Sequence, residues 1–393
     1  MTAALKTLVV GSQPRFYTPG RLSTRKETST RPKRYSAMIG GTAKIDAQHA
    51  AKPFFWGIDI GGTNIKLGLV DEQGRTVAYQ SIPTQEPQGP QAAVERTAQV
   101  IGEIEQAHGL TATEIPRIGL GTPGSMDLPT GRLVEPPNLP HWWGFGIREA
   151  FAVALDRPVS FLNDANAAAF GEYWLGTGAD YASMILLTLG TGVGGGIIVE
   201  GELINGTNSF GSECGHILVD SSPEAALCAW GGGRGQLEAY ASASGLVQRT
   251  HQRLAAGAFS VLGGRAAEAD AGLTAKMVYQ AAAEDDDPLA LAMIDETARW
   301  LGIGITTLVH TIDPGLVVLG GAMDFGGPDS PVGRRFLQAI SAEFESRTFS
   351  NVFAGTRLAF ARLRSDAGYL GVAGYARKEH LHGQVAQPSA SAE

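Results

Sequence analysis

Residues 163–172 read Asn-Asp-Ala-Asn-Ala-Ala-Ala-Phe-Gly-Glu, directly after the apolar run Val159-Ser160-Phe161-Leu162. An apolar run that ends in Asn-Asp and passes into an alanine-rich stretch predicts a buried strand turning into a helix. Two glycine-rich loops bracket this junction. Asp59-Ile60-Gly61-Gly62-Thr63-Asn64 precedes it, and Leu189-Gly190-Thr191-Gly192-Val193-Gly194-Gly195-Gly196 follows it. Each loop ends an apolar run, and glycines let backbone amides approach a phosphate closely. An acidic residue between two phosphate-sized loops points to an enzyme that moves a phosphoryl group.

Further out, the apolar pattern predicts two α/β units. FFWGIDI (54–60), KLGLV (66–70) and TVAYQSI (76–82) read as an antiparallel meander, followed by a helix over 91–108 with Val94, Ala98, Ile101 and Ile104 on one face. PRIGLGTPG (116–124) and PVSFLNDA (158–165) read as strands, and residues 165–176 as a helix. The order then repeats. SMILLTLGT (183–191) and GIIVEGELI (196–204) pair around the second loop, helices are expected near 235–250, 274–284 and 288–311, PGLVVLGGAM (314–323) and TRLAFARL (356–363) read as strands, and AGYLGVAGYA (367–376) as a closing helix. In such folds ligands bind at the strand ends, between the units.

Charge is unevenly spread. Residues 1–52 carry ten Lys and Arg against two acids, a net +8, so the rest of the chain carries −16 of the total −8. An acidic body argues against a nucleic-acid-binding surface. The first 52 residues lack a steady apolar period and are expected to be a disordered basic tail; a transit segment or a start at Met38 also fits their composition. Residues 381–393 read as a second tail. Two cysteines, Cys214 and Cys228, cannot build a disulfide framework, which suits a cytoplasmic protein. Glycines, His310 and Asp313 interrupt the longest apolar stretches, so no membrane span is expected.

The residues with chemistry each have two readings. Asp59 is suited to holding Mg²⁺ or its waters, with Thr63 and Asn64 adding donors, yet a strand followed by Asp-x-Gly-Gly also makes a plain hairpin turn. Thr191, next to Gly192, can present both hydroxyl and amide to a ligand. No Gly-Lys-Ser/Thr follows either loop, so neither is a Walker A sequence. Asp164 is placed either to cap the helix or to act as general base toward a substrate hydroxyl. Glu213, His216 and Glu238 form a third polar group suited to neighbouring sugar hydroxyls, although each alone reads as a surface or capping residue.

Taken together, DIGGTN (59–64), GTPG (121–124), NDANAAA (163–169), LGTGVGGG (189–196), ECGH (213–216), LEAYAS (237–242) and LGGAM (319–323) resemble the ROK family of sugar kinases and sugar-responsive repressors, from about Phe54 to about Ala376. The resemblance implies the actin-like, ribonuclease-H-like ATPase fold, with a hexose bound in a cleft between two lobes. The lobes are expected over 53–168 plus 366–380 and over 169–365. It implies Asp164 as the base acting on the sugar O6 hydroxyl, and Asn138, Asn163, Glu213, His216 and Glu238 as sugar contacts. Gly61, Gly62, Thr63, Thr191 and Gly192 match phosphate-loop positions, and Gly320 and Gly321 the adenosine-side loop. The expected reaction is ATP- and Mg²⁺-dependent phosphorylation of a hexose at O6. Glucose comes first, with fructose, mannose or N-acetylmannosamine as alternatives and polyphosphate as a less favoured donor. A homodimer or higher homo-oligomer is also implied.

One departure stands out. The family's C-x-C-G-x-x-G-C trio, which with the His of the Gly-His pair holds a structural zinc, falls here on Ala229, Gly231 and Gln236, with Cys228 one residue out of register. Thiolates anchor such sites, so no structural zinc is expected. The rival reading is a repressor with an N-terminal helix-turn-helix. Pro14, Pro19 and Pro32 break any long helix there, and the sequence shows no paired amphipathic helices. A sugar-binding protein without catalysis is disfavoured because Asp164 and both loops are intact.

Overall fold

The structure, a computed structural model, describes residues 44–228 and 233–385. Expectations for residues 1–43 and 386–393 lie outside the described residues.

The first half runs β1 (Phe55–Ile60), β2 (Asn64–Val70), β3 (Thr76–Pro83), α1 (Pro90–Ala107), β4 (Ile118–Thr122), the small hairpin β5 (Met126–Asp127) and β6 (Arg132–Leu133), α2 (Ile147–Leu155) and β7 (Val159–Asn163). The helix α3 (Asp164–Trp174) leads into β8 (Met184–Leu189), β9 (Val193–Val199) and β10 (Glu202–Leu203). Then come α4 (Leu237–Ala241), α5 (Ala243–Ala255), α6 (Leu262–Glu268), α7 (Ala275–Glu284) and α8 (Pro288–Ile312). The chain ends with β11 (Leu316–Gly320), α9 (Pro331–Arg347), α10 (Ser350–Gly355), β12 (Arg357–Phe360) and α11 (Ala367–Val385).

These strands form two five-stranded sheets of one design. The first has the order β3-β2-β1-β4-β7 and the second β10-β9-β8-β11-β12. In each, a three-strand antiparallel meander is extended by two strands parallel to its first. The meander and the repeat of strand order both match the sequence pattern.

Strand alternation decides which helices cover which face. Trp56, Ile58 and Ile60 of β1 pack with Ile118 and Leu120 of β4 under Val94 and Ile101 of α1 and Phe151 of α2. The alternate residues face α11: Phe55 packs with Tyr369 and Leu370, and a Cβ on Gly57 would meet the Tyr369 carbonyl at 1.9 Å. That glycine lets the helix lie directly on the strand. The second sheet repeats the scheme. Ile185, Leu187, Val317 and Leu319 pack under α8 and α9, with Leu301, Ile305, Phe336 and Phe344. Its other face carries Met184, Leu186 and Ile198 against Ala169 and Phe170 of α3. Helices α3 and α11 pack on each other through small residues; a Cβ on Gly371 would overlap the Ala167 carbonyl at 1.7 Å. Replacing a fully buried Leu in these layers by Ala typically costs ~2–5 kcal/mol.

Three boundaries differ from expectation. Residues 44–52 belong to the fold and not to the tail: Ile45 N–H donates to the Thr76 carbonyl at 3.0 Å, Glu72 N–H to the Ala51 carbonyl at 2.9 Å, and Ala51 N–H to Asp71 Oδ2 at 3.1 Å. Asp71 is fully buried and also takes Gln73, Arg75 and the Arg75 side chain. Second, the closing helix continues to Val385, five residues into the expected second tail. Lys378 on Gly201, Glu379 on Arg117 and the His380 ring 5.9 Å from Phe55 hold the preceding turn. Third, the helix expected over 235–250 is broken at Ser242, whose backbone is extended (φ −86°, ψ 166°) and whose hydroxyl caps α5 by accepting from Gly245. Among the described residues, no helix is long and apolar enough to cross a membrane.

Candidate active site

Within each sheet the parallel strands end on one edge, and most of the sequence-derived residues follow those ends. Asp59 lies one residue before the end of β1 and is in register with Gly121 of β4; Thr122 is in register with Asn163 of β7. The strand pairing thereby aligns the first loop, the GTPG turn and the Asn163–Asp164 junction. In the second sheet, Gly190 and Thr191 follow β8, and Gly320 ends its neighbour β11.

At the junction, Asn163 and not Asp164 is the N-cap. The Asn163 side chain accepts from Ala165 N–H at 2.9 Å, and its amide donates to the Gly124 carbonyl at 3.2 Å. Asp164 is the first residue of α3 and takes a further bond from the same Ala165 N–H at 2.8 Å. Capping therefore does not account for Asp164. Asp164 is solvent-exposed, yet its carboxyl lies near protein groups that include Asp59 and Glu213. Crowding, then the negative charge of Asp59, then that of Glu213 push its carboxyl up to about 7. The exposure of the residue moderates the first of these. Such a carboxyl is poised as a proton acceptor near neutral pH.

Asp59 is mostly buried, which raises its carboxyl above the ordinary value; Lys66, with Nζ 3.9 Å from Oδ2, opposes that rise. The start of α11 seals its other side, where a Cβ on Gly368 would meet Oδ2 at 2.3 Å. The first loop continues with Gly62, Thr63 and Asn64, all exposed. Asn138 lies against it: a Cβ on Gly62 would stand 3.3 Å from the Asn138 Cβ.

Glu213 is the N-cap of the short 3₁₀ turn Cys214–His216 and His216 its last residue, with Glu213 Oε2 3.7 Å from His216 Nε2. Burial raises the Glu213 carboxyl; His216 opposes this and Glu238 adds to it, so all three groups feel one another. Glu238, at the start of α4, reaches the second loop and accepts from Val193 N–H at 2.9 Å. A Cβ on Gly192 would collide with its Oε2 at 2.3 Å. Gly321 has φ +91°, a backbone that disfavours side chains, and lies against the end of β8, 2.2 Å from the Leu189 carbonyl to a built Cβ. The Met323 amide also donates to that carbonyl at 3.0 Å.

These neighbours form one continuous chain: Asn138 to Gly62, Asp59 to Asp164, Asp164 to Glu213, Glu213 to His216 and Glu238, Glu238 to Gly192, and Gly321 beside the second loop. Residues separated by some 260 positions in sequence thus gather at the strand ends. Lys66 and Gly368, which flank Asp59, were not singled out from sequence; one lies mid-strand and the other in a helix read only as a closing element.

Asp59, with Asp164 near it, fits a Mg²⁺ site of the kind that takes one or two carboxylates and completes its shell with water and phosphate oxygens. Structural zinc does not fit. Among the described residues no three His, Cys, Asp or Glu side chains are arranged to hold a metal. Gln236 occupies a thiolate position, with Cys228 Sγ donating to its Oε1 at 2.9 Å and His216 Nδ1 3.5 Å from the same oxygen. Ala229 and Gly231 lie outside the described residues, and neither carries a ligand atom on its side chain.

The duplicated sheets, with α3 and α11 packed together against them, are the actin-like ATPase fold. The ROK family model matches residues 55–379, and the chain belongs to that family. It is 33% identical over 320 residues to a glucokinase of Halalkalibacterium halodurans, covering 81% of this chain and 93% of that protein. The crystal structure of a ROK hexokinase from Thermus thermophilus superposes with a TM-score of 0.70 at 31% identity, over 84% of this chain and 100% of that one. A ROK family glucokinase from Streptomyces griseus, in complex with glucose and AMPPNP, gives 0.65 at 31% identity over 83% and 99%.

Proposed function

We propose that the protein is a sugar kinase that transfers the γ-phosphoryl group of ATP to O6 of a hexose, with glucose as the first candidate. The observation that carries this is the setting of Asp164: not itself the helix N-cap, which is Asn163, it shares the Ala165 amide with that cap and feels the charges of Asp59 and Glu213, which help lift its carboxyl to about 7. In this reading Asp164 accepts the O6 proton as the O–P bond forms; a loose transition state asks little more of it than orientation and late proton acceptance. Asn138, Asn163, Glu213, His216 and Glu238 hold the sugar hydroxyls. The amides of Gly62, Thr63, Thr191 and Gly192, with the Thr63 and Asn64 side chains, receive phosphate oxygens, and Gly320–Gly321 borders the adenosine. Mg²⁺, when bound, lowers the charge on the phosphates, and Asp59 is the carboxylate placed to hold it or its waters.

The lobes of this reading are residues 53–168 with 366–380, to which the packing adds 44–52 and 381–385, and residues 169–365. Closing them over sugar would shield the phosphoryl group from water. The relatives named glucokinase support glucose over fructose, mannose or N-acetylmannosamine, and the complex with AMPPNP supports ATP over polyphosphate. Two free cysteines favour the cytoplasm.

The test is a coupled assay of purified protein against these four sugars with ATP or polyphosphate, beside a gel shift with DNA. Turnover with ATP and glucose and no DNA shift is expected. No turnover on any sugar, with a specific DNA complex released by sugar, would replace this reading with that of a repressor.

A further inference from the structure

The two glycine loops differ in sequence but are held by comparable bonds, with the hydroxyl and amide clamps exchanged between the carbonyls of the first glycine and the threonine. In the first, the Gly61 amide donates to the Asn64 carbonyl at 2.9 Å. The Thr84 hydroxyl donates to the Gly61 carbonyl at 2.6 Å, and the Thr84 amide to the Thr63 carbonyl at 2.9 Å. In the second, the Gly190 amide donates to the Gly192 carbonyl at 3.0 Å. The Ser244 hydroxyl donates to the Thr191 carbonyl at 2.9 Å, and the Ala243 amide to the Gly190 carbonyl at 2.8 Å. Each loop has an internal bond from its first glycine, one hydroxyl clamp and one amide clamp. Both clamps come from a single short stretch outside the loop.

This arrangement sorts most of the loops' polar groups by charge; the Gly62 carbonyl alone among those of residues 61–64 and 190–192 accepts no bond from the described residues. Carbonyl oxygens repel a phosphate and amides attract it. The carbonyls of Gly61, Thr63, Asn64, Gly190, Thr191 and Gly192 are all engaged within the protein. The amides of Gly62, Thr63, Thr191 and Gly192 donate to no acceptor among the described residues. The clamps are themselves anchored. Thr84 is fully buried, and the Arg96 guanidinium donates to its carbonyl at 2.6 Å. Ser244 lies in the first turn of α5, fixed by the Ser242 cap.

We propose that Thr84 and Ser244 are matched positioning residues, one per loop, whose hydroxyls hold the loop carbonyls inward so that the free amides face the phosphates of the donor nucleotide. This rests on the kinase reading given above. Neither residue is placed to touch sugar or reacting atoms; each acts through its loop.

The experiment compares wild type with Thr84→Val and Ser244→Ala, and with the conservative Thr84→Ser and Ser244→Thr. Calorimetry gives the Kd of a non-hydrolysable ATP analogue in the presence of glucose and Mg²⁺, and separately the Kd of glucose alone; melting temperatures are recorded. Loss of one such hydrogen bond should weaken the analogue ~3- to 10-fold. Glucose binding should fall by less than analogue binding, because neither hydroxyl bonds to one of the sugar-facing side chains. The conservative variants should restore nucleotide affinity. Ser244 is only partly buried, so Ser244→Ala alone decides the matter if Thr84→Val does not fold. Wild-type analogue affinity in Ser244→Ala, or an equal loss of sugar and nucleotide binding with a fall in melting temperature, would overturn the proposal. Failure of the wild type itself to bind the analogue would overturn the kinase reading and this inference with it.

Discussion

The Glu238 carboxylate accepts the Val193 amide at 2.9 Å, so a single side chain joins the Glu213–His216 group to the end of the second glycine loop. In the kinase reading it serves sugar and phosphate loop together. Glu238→Gln keeps a carbonyl oxygen for Val193 and loses the charge, whereas Glu238→Ala loses both. Glucose affinity should fall ~10- to 100-fold in both variants, as for a bond to a charged group. Nucleotide affinity should fall a further ~3- to 10-fold in the alanine variant alone. Separate titrations of the two ligands check this, and unchanged nucleotide binding in Glu238→Ala would show that the bond to Val193 is idle.

Asp164 should cost the free protein stability. Its folded carboxyl titrates near 7, above the ordinary carboxylate range. Near pH 4 it is protonated in the fold and favours it; as pH rises toward 7 the unfolded chain ionises first, and stability is lost until the folded group has ionised as well. Asp164→Asn removes this dependence. The variant should melt above wild type at pH 8, with the gap closing toward pH 4. A gap that does not change with pH would mean that the Asp164 carboxyl is not raised in the fold.

Gln236 stands where the family places a thiolate, holding Cys228 and lying 3.5 Å from His216. The protein should therefore fold and work without zinc. Elemental analysis is expected to give substoichiometric zinc, and activity should survive exhaustive chelation once Mg²⁺ is restored. One zinc per chain, or activity recovered only with zinc, would contradict this.

Truncation should separate two segments. Removing residues 1–43 leaves the bonds of Ile45, Ala51 and Lys52 intact. Removing 1–52 deletes them and strips buried Asp71 of one donor, at a cost of ~1–3 kcal/mol. Thermal melts of the two truncated proteins should differ accordingly, and equal melting temperatures would show that residues 44–52 add nothing.

Much of this fold was legible because its strands are short apolar runs ending in glycine, and because the strand order occurs twice. The site was legible where loops follow strands directly: Asp59, Asn163, Asp164, Thr191 and Gly320 all stand at such ends. Helix α9 was not assigned from sequence, although Ser330 and Pro331 mark its start and Val332, Phe336, Ile340 and Phe344 have helical spacing. Ser242 looked like an ordinary helix residue, since capping depends on a backbone bend that composition does not reveal. Thr84 and Ser244 carry no sequence signal at all. Each acts on a loop more than twenty or fifty positions away, a relation that only the packed chain creates.

The central claim is tested most directly by following the reaction of glucose with ATP and Mg²⁺ by phosphorus NMR, wild type beside Asp164→Asn. Wild type should convert glucose to glucose 6-phosphate with stoichiometric ADP. The variant should bind glucose within ~3-fold of wild type yet turn over ~10²–10⁴-fold more slowly, as for loss of a general base. Near-wild-type turnover by Asp164→Asn, or a wild type that forms no sugar phosphate from any hexose, would contradict the account.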